Sequence, residues 1–214
     1  MDALVDNDIL FKVACFGLFE ALILPNCQPE GSVGILGAAR YVVPKKLQRS
    51  LEAAIANTAK AAFQTFLDVA EIIEPTEDEQ VMAADFELAA QRAAVALDSG
   101  ESQLCAVLIA RGLPLLWTGD KRAICALEHL FDSDARLTAL AGKLKCLEQL
   151  VLQPLSAENY SQFRIAICRQ SGTDKTLSIC FSCRVEEATL EGTTAGLKSY
   201  INDLRSQAKR ILAP

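Results

Sequence analysis

Short apolar runs alternate with longer amphipathic stretches along the chain, a pattern typical of strands alternating with helices. Residues 3–5 predict a short buried strand, and residues 9–24 predict a helix that Pro25 ends, followed by a loop to Gly34. Residues 71–75, 113–117 and 144–152 predict further strands. The alternation predicts an α/β fold with a mostly parallel sheet.

Helical patterns fill most of the intervening sequence. A helix is predicted to start at Pro44, and residues 47–70 are rich enough in helix formers to predict one long helix. The turn PTEDEQ opens a helix to residue 97, SQLCAVLIARG is a helix that Gly112 stops, and residues 121–130 form another. Toward the C-terminus, residues 156–169 and 194–212 predict helices around an apolar piece at 177–183.

Composition places the chain among globular proteins. Its 214 residues, 51% of them hydrophobic, suffice for one sizeable domain with a small helical appendage. The formal net charge of -6 argues against a general nucleic-acid coat protein. The start of the chain has no basic segment typical of a secretory signal, and the longest apolar stretch, 13–24, is short and interrupted by Glu20. We expect a cytoplasmic protein that makes no membrane contact.

The cysteines and the histidine give weak signals. Eight cysteines in a chain kept in a reducing compartment are expected to be small buried hydrophobic residues rather than disulfide partners. Cys168, Cys180 and Cys183 are the exception, because Cys-x-x-Cys is a zinc or redox spacing, although a fourth ligand would have to come from a distant residue such as Cys146. The single histidine, His129, leaves little room for a histidine-based catalytic triad.

Acidic side chains begin or follow predicted elements at three distant points. Asp6 and Asp8 follow the first strand in LVDND, Asp98 and Glu101 stand between two helices in LDSGE, and Asp120 follows a strand in WTGDK. The carboxyl ends of parallel strands form the edge where ligands bind. Carboxylate oxygens are the ligands of hard cations such as Mg²⁺ and Mn²⁺. The pattern therefore predicts a divalent-metal site, and phosphodiester cleavage is the first chemistry to consider.

The segments VDNDIL, LDSGESQLCA and LLWTGDKRAI resemble the acidic motifs of the PIN-domain nucleases, in the expected order. The resemblance covers about residues 1–153 and is strongest over 96–127. It implies a Rossmann-like PIN fold with helices on both faces of the sheet, one or two Mg²⁺ or Mn²⁺ ions, and cleavage of RNA. Residues 154–214 lie outside the resemblance and are predicted to form a mainly helical extension that packs on the PIN-like domain or on a partner.

The resemblance also assigns roles to the acids. Asp6 would be the metal-binding aspartate after the first strand, Glu101 the third-motif acid and Asp120 the acid after the fourth strand, and these three would be the catalytic residues. Asp8 falls where many relatives have asparagine and would add a ligand or orient one. Asp98 would help through a bound water.

One motif departs from the family pattern. The family usually has a glutamate in the helix that follows a proline, but this chain reads PKKLQRSLE there, with Arg49 and Ser50 near the expected place. Glu52 is the nearest acid. Either Glu52 substitutes after a small shift, or the site has fewer acids and a weaker affinity for metal.

Each of these charged residues also has a simpler structural explanation. Asp8, Asp98 and Asp120 stand where a helix N-cap is expected, and capping is compatible with metal binding. Basic residues near the acids can bind RNA phosphates or can be solvated helix starts. The candidates for phosphate binding are Lys45, Lys46, Arg49, Lys121 and Arg122.

Two classes of function are open at this point. The first is a metal-dependent endoribonuclease, either the toxin of a toxin–antitoxin pair or a defence nuclease, whose acidic site an antitoxin or other small protein would mask. The second is a PIN-like module that has lost catalysis and serves protein interaction or assembly. A zinc-dependent regulator built on Cys168, Cys180 and Cys183 is a third and lesser option. The apolar stripe of the C-terminal helix leaves a homodimer contact open as well.

Overall fold

A five-stranded parallel sheet forms the centre of the computed structural model, which describes residues 1–23, 25 and 31–214. The strand order is β3-β2-β1-β4-β5, and every pairing is parallel. The predicted α/β fold, Rossmann-like with helices flanking a parallel sheet, is confirmed. The strands are β1 (Ala3–Val5), β2 (Val33–Leu36), β3 (Glu71–Ile73), β4 (Leu116–Thr118) and β5 (Leu144–Cys146).

Helices connect the strands and continue beyond the last one. A 3-10 helix at Ala135–Leu140 precedes β5. The α-helices are α1 (Asn7–Phe16), α2 (Phe19–Leu22), α3 (Ala39–Ser50), α4 (Ala53–Leu67), α5 (Glu77–Arg92), α6 (Ser99–Ala110), α7 (Lys121–Leu130), α8 (Leu147–Leu152), α9 (Tyr160–Arg169), α10 (Lys175–Cys180) and α11 (Leu190–Gln207). No helix in the described ranges is long and apolar enough to cross a membrane.

The sheet separates two hydrophobic cores. Side chains of a strand alternate between its two faces, so Ala3 and Val5 join one core and Leu4 the other. The first core contains side chains of α1, α2, α4, α8 and α9, and the second those of α5, α6, α7 and the 3-10 helix. Both faces of the sheet are therefore covered, as an all-parallel sheet requires.

The strand order reverses direction between β1 and β4. The chain moves outward from β1 through β2 to β3, then returns to place β4 on the other side of β1. Leu4 pairs with Leu116 and Val5 with Trp117, so β1 and β4 are direct neighbours. At such a reversal the connections leave in opposite directions and open a crevice at the carboxyl ends of the strands.

The C-terminal extension packs on the sheet domain. Phe163, Phe181 and Leu197 belong to the first core, while Ile201 and Leu204 of α11 belong to the second, so the extension wraps around the β5 side of the sheet. Its end adds a parallel bridge between Leu144 and Leu212. The buried carboxylate of Glu148 forms an ion pair with Lys121 at 2.5 Å. The ammonium group of Lys121 also donates a hydrogen bond to the hydroxyl of Thr176 in α10.

Several predicted helix boundaries are wrong. The helix predicted over 9–24 ends at Phe16, because Gly17 adopts a left-handed conformation (φ 66°), and the short α2 follows; Leu24 lies outside the described residues. The helix predicted over 47–70 is broken at Leu51, whose backbone is extended. Pro44 does not start a helix but lies inside α3. Helix α5 ends at Arg92 rather than at residue 97.

The segment 144–152 is only partly a strand. It pairs with β4 over Leu144–Cys146 and then turns into α8, because Gln149 closes a capping box on the backbone N–H of Cys146. In the extension, the helix predicted over 156–169 begins only at Tyr160, the apolar piece at 177–183 belongs largely to α10, and the last helix runs over Leu190–Gln207. Short apolar runs fit a buried helix as well as a buried strand.

The cysteine prediction is wrong for one pair. Cys168 and Cys183 form a disulfide that joins α9 to the turn after α10, with a Cα–Cα distance of 5.0 Å. Sequence alone did not show that these two segments approach each other. Cys180 is a free, buried thiol, so the three thiols proposed for zinc do not form a common ligand set. Cys15, Cys105 and Cys146 are free and buried as expected, Cys125 is free and half-buried, and Cys27 lies outside the described residues.

A buried ion pair between α5 and the end of α6 gives a test of the packing. Glu79 is buried and accepts two hydrogen bonds from Arg111, at 2.7 and 2.8 Å. The pairing with Arg111 holds the pKa of Glu79 below its usual value. Replacing Arg111→Ala leaves this buried carboxylate with a hydrogen bond from the backbone N–H of Thr76 but without its charged partner. We expect the free energy of unfolding, measured by urea denaturation, to fall by about 1–3 kcal/mol. Arg92→Ala, an exposed arginine on α5, should change it by less than about 0.5 kcal/mol; equal effects would contradict the assignment.

Candidate functional site

The crevice between β1 and β4 forms a cavity of about 760 Å³. Its walls come from the end of β1, the starts of α1 and α6, one face of α3, and the turn after β4. All the acids predicted for the metal site line it: Asp6, Asp8, Asp98, Glu101 and Asp120. The fold thus brings together three segments that are far apart in sequence.

Asp6 is the most buried of these acids, with 5% of its surface exposed. One carboxylate oxygen caps α1 by accepting the N–H of Ile9 at 2.7 Å, and the other accepts the N–H of Gly119 at 3.0 Å and the hydroxyl of Thr118. Burial raises the pKa of Asp6 to about 6, the hydrogen bonds oppose that rise, and the charge of Asp8 adds to it.

Thr118 was missed in the sequence reasoning, although it stands in the quoted WTGDK segment. Its hydroxyl donates to Asp6 and accepts the backbone N–H of Asp120 at 3.1 Å. This buried threonine therefore links the first acid to the last one. A threonine directly before Gly-Asp at a strand end was the available signal, but hydroxyl groups in that position commonly serve only the local turn.

Glu101 and Asp98 form a capping box at the start of α6. The N–H of Glu101 donates to Asp98 at 2.9 Å, and the N–H of Asp98 donates to Glu101 at 3.0 Å. Burial raises the pKa of Glu101 to about 8, and the negative charges of Asp98, Asp120 and Asp6 push it in the same direction. Glu101 therefore lies in the same cavity as Asp98, Asp120 and Asp6, and their charges contribute to its raised pKa.

Asp120 is held in place by Arg122, two residues later in the sequence. It caps α7 through the N–H groups of Arg122 and Ala123, and the Arg122 guanidinium lies 2.7 Å from its second oxygen. Burial pushes the pKa of Asp120 upward, but the hydrogen bonds and charge of Arg122 outweigh it and hold the pKa below its usual value. Asp120 therefore stays ionised more readily than Asp6 or Glu101, whose pKa values are raised.

Asp8 pairs with cations rather than capping a helix, since Asp6 takes the cap position of α1. Lys12 lies 2.6 Å from Asp8 and 2.8 Å from Asp174, the cap of α10, and Lys46 lies 3.2 Å from Asp8. Burial lowers the pKa of Lys12, but the two carboxylates outweigh burial and hold it above its usual value. Lys12 was not predicted; it connects the cavity to the C-terminal extension.

The predicted phosphate-binding residues divide into two groups. Lys46 and Arg122 line the cavity, but Lys45, Arg49 and Lys121 do not. Lys45 is exposed one position further round α3, and Lys121 turns to the other side of α7 to pair with Glu148. The placement of Lys121 at the site is therefore wrong, because a buried carboxylate behind α7 binds its ammonium group.

Two other candidates lie away from the cavity. Glu52 is an exposed residue at the N-cap of α4 and does not supply the missing second-motif acid. His129 is exposed in a separate groove of about 490 Å³ between α7 and α11, where Cys125 and Tyr200 are neighbours. Catalysis in the acidic cavity would therefore proceed without a histidine.

The donor chemistry of the cavity fits a hard divalent cation. Its acids offer carboxylate oxygens, and the pKa values of Asp6 and Glu101 are raised mainly by burial and to a smaller extent by neighbouring acids, so a bound cation would favour their charged forms. The ligands are not assembled in advance, since within residues 1–23, 25 and 31–214 no three His, Cys, Asp or Glu side chains are grouped closely enough to hold a metal ion. In the structure, Asp6, Glu101 and Asp120 accept hydrogen bonds from the protein backbone, and their side chains would have to move closer together to share one ion.

The raised pKa values predict how stability depends on pH. A carboxyl group whose pKa is raised by folding stabilises the protein fully below its unfolded value and loses that contribution as pH rises through its folded value. For Glu101, with pKa about 8, the free energy of unfolding should therefore fall between pH 5 and 8. Glu101→Gln keeps the capping acceptor, so at pH 8 it should be more stable than wild type by roughly 1 kcal/mol, allowing for solvent screening, with little difference at pH 5.

Urea denaturation at both pH values measures this effect. Glu77→Gln provides the control, because it removes an exposed acid from the first turn of α5, outside the cavity. Equal pH dependence of wild type and Glu101→Gln would show that Glu101 is not electrostatically strained.

Comparisons with known proteins give no relative for this chain: no family model matches it, and no match was found among curated proteins or among solved structures.

Proposed function

We propose that the protein is a divalent-metal-dependent endoribonuclease that hydrolyses RNA phosphodiester bonds. The observation that carries the proposal is the convergence of five carboxylates from three distant segments on one cavity, at the point where the strand order reverses. The resemblance of those segments to PIN-domain motifs supports the same chemistry.

Asp6, Glu101 and Asp120 would hold Mg²⁺ or Mn²⁺, with Asp8 and Asp98 as additional or water-mediated ligands. The chemistry that such an ion would supply is activation of water as a nucleophile near neutral pH and neutralisation of charge on the phosphate. The protein supports this by fixing Asp6 through three hydrogen bonds, from Ile9, Thr118 and Gly119.

Basic side chains on the cavity wall would position the RNA backbone. Arg122 is exposed and adjoins Asp120, and Lys46 is half-exposed beside Asp8, so each cation can turn from its carboxylate toward a phosphate. The net charge of -6 makes these local cations necessary for binding a polyanion.

A second candidate function is a noncatalytic PIN-like module that serves protein interaction or assembly. Two observations favour it: Glu52 lies outside the cavity, and Asp8 and Asp120 are paired with cations of the protein itself. In either case a small protein partner, an antitoxin if the protein is a toxin, would cover the cavity, and the cytoplasm is the compartment that we propose.

Metal binding should raise the thermal stability of the protein. Adding Mn²⁺ at a hundredfold excess over its Kd should raise the free energy of unfolding by about 2.7 kcal/mol, because the ion binds the folded cavity in preference to the unfolded chain. Thermal melts with Mn²⁺ and with EDTA measure the shift, and Glu101→Gln should reduce it. A Tm that does not respond to Mn²⁺ or Mg²⁺ would favour the noncatalytic module.

Cleavage provides the direct test. With a fluorescent single-stranded RNA and Mn²⁺, Asp120→Asn should lower kcat/KM by about 100-fold or more, because it removes a charged ligand from the site. Asp134→Asn is a closely matched control: Asp134 also caps a helix and pairs with an arginine two residues later, Arg136, but lies outside the cavity. Equal activity of the two variants, or cleavage that persists in EDTA, would contradict the proposal.

A further inference from the structure

Helix α3 carries charges of one sign. All of its charged side chains are basic, in a chain whose formal net charge is -6. The cluster stands beside the cavity, where the remaining charged residues are mainly acidic. These basic residues are Arg40, Lys45, Lys46 and Arg49.

The basic side chains continue from the cavity onto the outer surface. Val42 and Lys46, one helical turn apart, line the cavity wall. Tyr41 and Lys45 each stand one position earlier and so lie on the adjoining face of α3, where both are exposed. Arg49 is exposed one turn after Lys45. The face therefore begins at the cavity and leads away from it.

Tyr41 is the distinctive residue of this face. It is 73% exposed, and it is the one aromatic among the exposed large hydrophobic side chains of the described residues. The guanidinium of Arg40 lies 5.8 Å from the centre of its ring, while Arg40 is itself placed by Gly37 and Glu74. An open aromatic ring beside a cation is suited to stacking with a nucleic-acid base.

We propose that Arg40, Tyr41, Lys45 and Arg49, here called the α3 surface, bind single-stranded RNA that leads into the cavity. A base stacks on Tyr41, and phosphates contact Lys45 and Arg49. A duplex hides the faces of its bases, so this surface selects single strands. The choice of RNA as the occupant rests on the proposed function, whereas the surface is argued from exposure and charge.

Binding without cleavage tests the α3 surface. A short fluorescein-labelled oligouridylate is titrated with the full chain in EDTA, and anisotropy is followed at several salt concentrations. Tyr41→Ala should weaken binding about 5-fold to 100-fold with an unchanged salt dependence, because it removes stacking rather than charge. Tyr41→Phe keeps the ring and should bind like wild type. Val81→Ala is the control for loss of an exposed hydrophobic side chain elsewhere.

The charged residues should give the complementary result. Lys45→Ala should weaken binding and reduce the slope of log K against log salt by about 0.7, the value for one phosphate contact on a single strand. Lys209→Ala, an exposed lysine beyond α11, removes the same charge away from the α3 surface and should leave the slope unchanged.

Two results would overturn the inference: wild-type affinity in Tyr41→Ala, or equal affinity for an RNA duplex. Its failure is distinguishable from failure of the proposed function. Metal-dependent cleavage with no effect of Tyr41→Ala on binding would remove the α3 surface alone. Tyr41-dependent binding of RNA that is never cleaved would remove the nuclease and keep the surface.

Discussion

The buried carboxylate of Asp6 connects the ends of two neighbouring strands, and the geometry of the cavity depends on this connection. It caps α1 through Ile9 and accepts hydrogen bonds from Thr118 and Gly119 at the end of β4. Thr118 in turn fixes the backbone of Asp120. A carboxyl group buried at this point must be fully hydrogen-bonded or protonated, because an unpaired buried charge is strongly unfavourable.

Helix capping and the proposed metal binding draw on the same carboxylates. Asp6, Asp98 and Asp120 each cap a helix, and the three helix starts face one crevice. Helix N-termini favour negative charge, which offsets part of the repulsion among the acids. The remaining repulsion is seen in the pKa of Glu101, raised to about 8 by burial first and by its acidic neighbours second. Hydrogen bonds therefore hold these acids in place, although their mutual repulsion remains unfavourable.

Cations of the protein partly neutralise the cavity from two directions. Arg122 and Lys46 belong to the sheet domain, whereas Lys12 also contacts Asp174 in the C-terminal extension. The extension thereby reaches the acidic crevice through the ion pair between Lys12 and Asp174, while its apolar side chains enter both cores. The extension is therefore coupled to the site by packing and by charge.

Local patterns were sufficient to predict an alternation of strands and helices, a mostly parallel sheet and the acids of the crevice, because hydrophobic period and capping residues act locally. Strand β2 was not predicted, since its first residues were assigned to a loop. The helix breaks at Gly17 and Leu51 were not predicted, because helix-forming residues continue on both sides of each break. Helix α8 after Cys146 was not predicted, because a short apolar run fits either a strand or a helix. By contrast, contacts formed in the folded protein determine that Lys121 pairs with Glu148, that Glu52 lies outside the cavity, and that Cys168 bonds to Cys183. Those outcomes depend on contacts between segments distant in sequence, which local patterns do not encode.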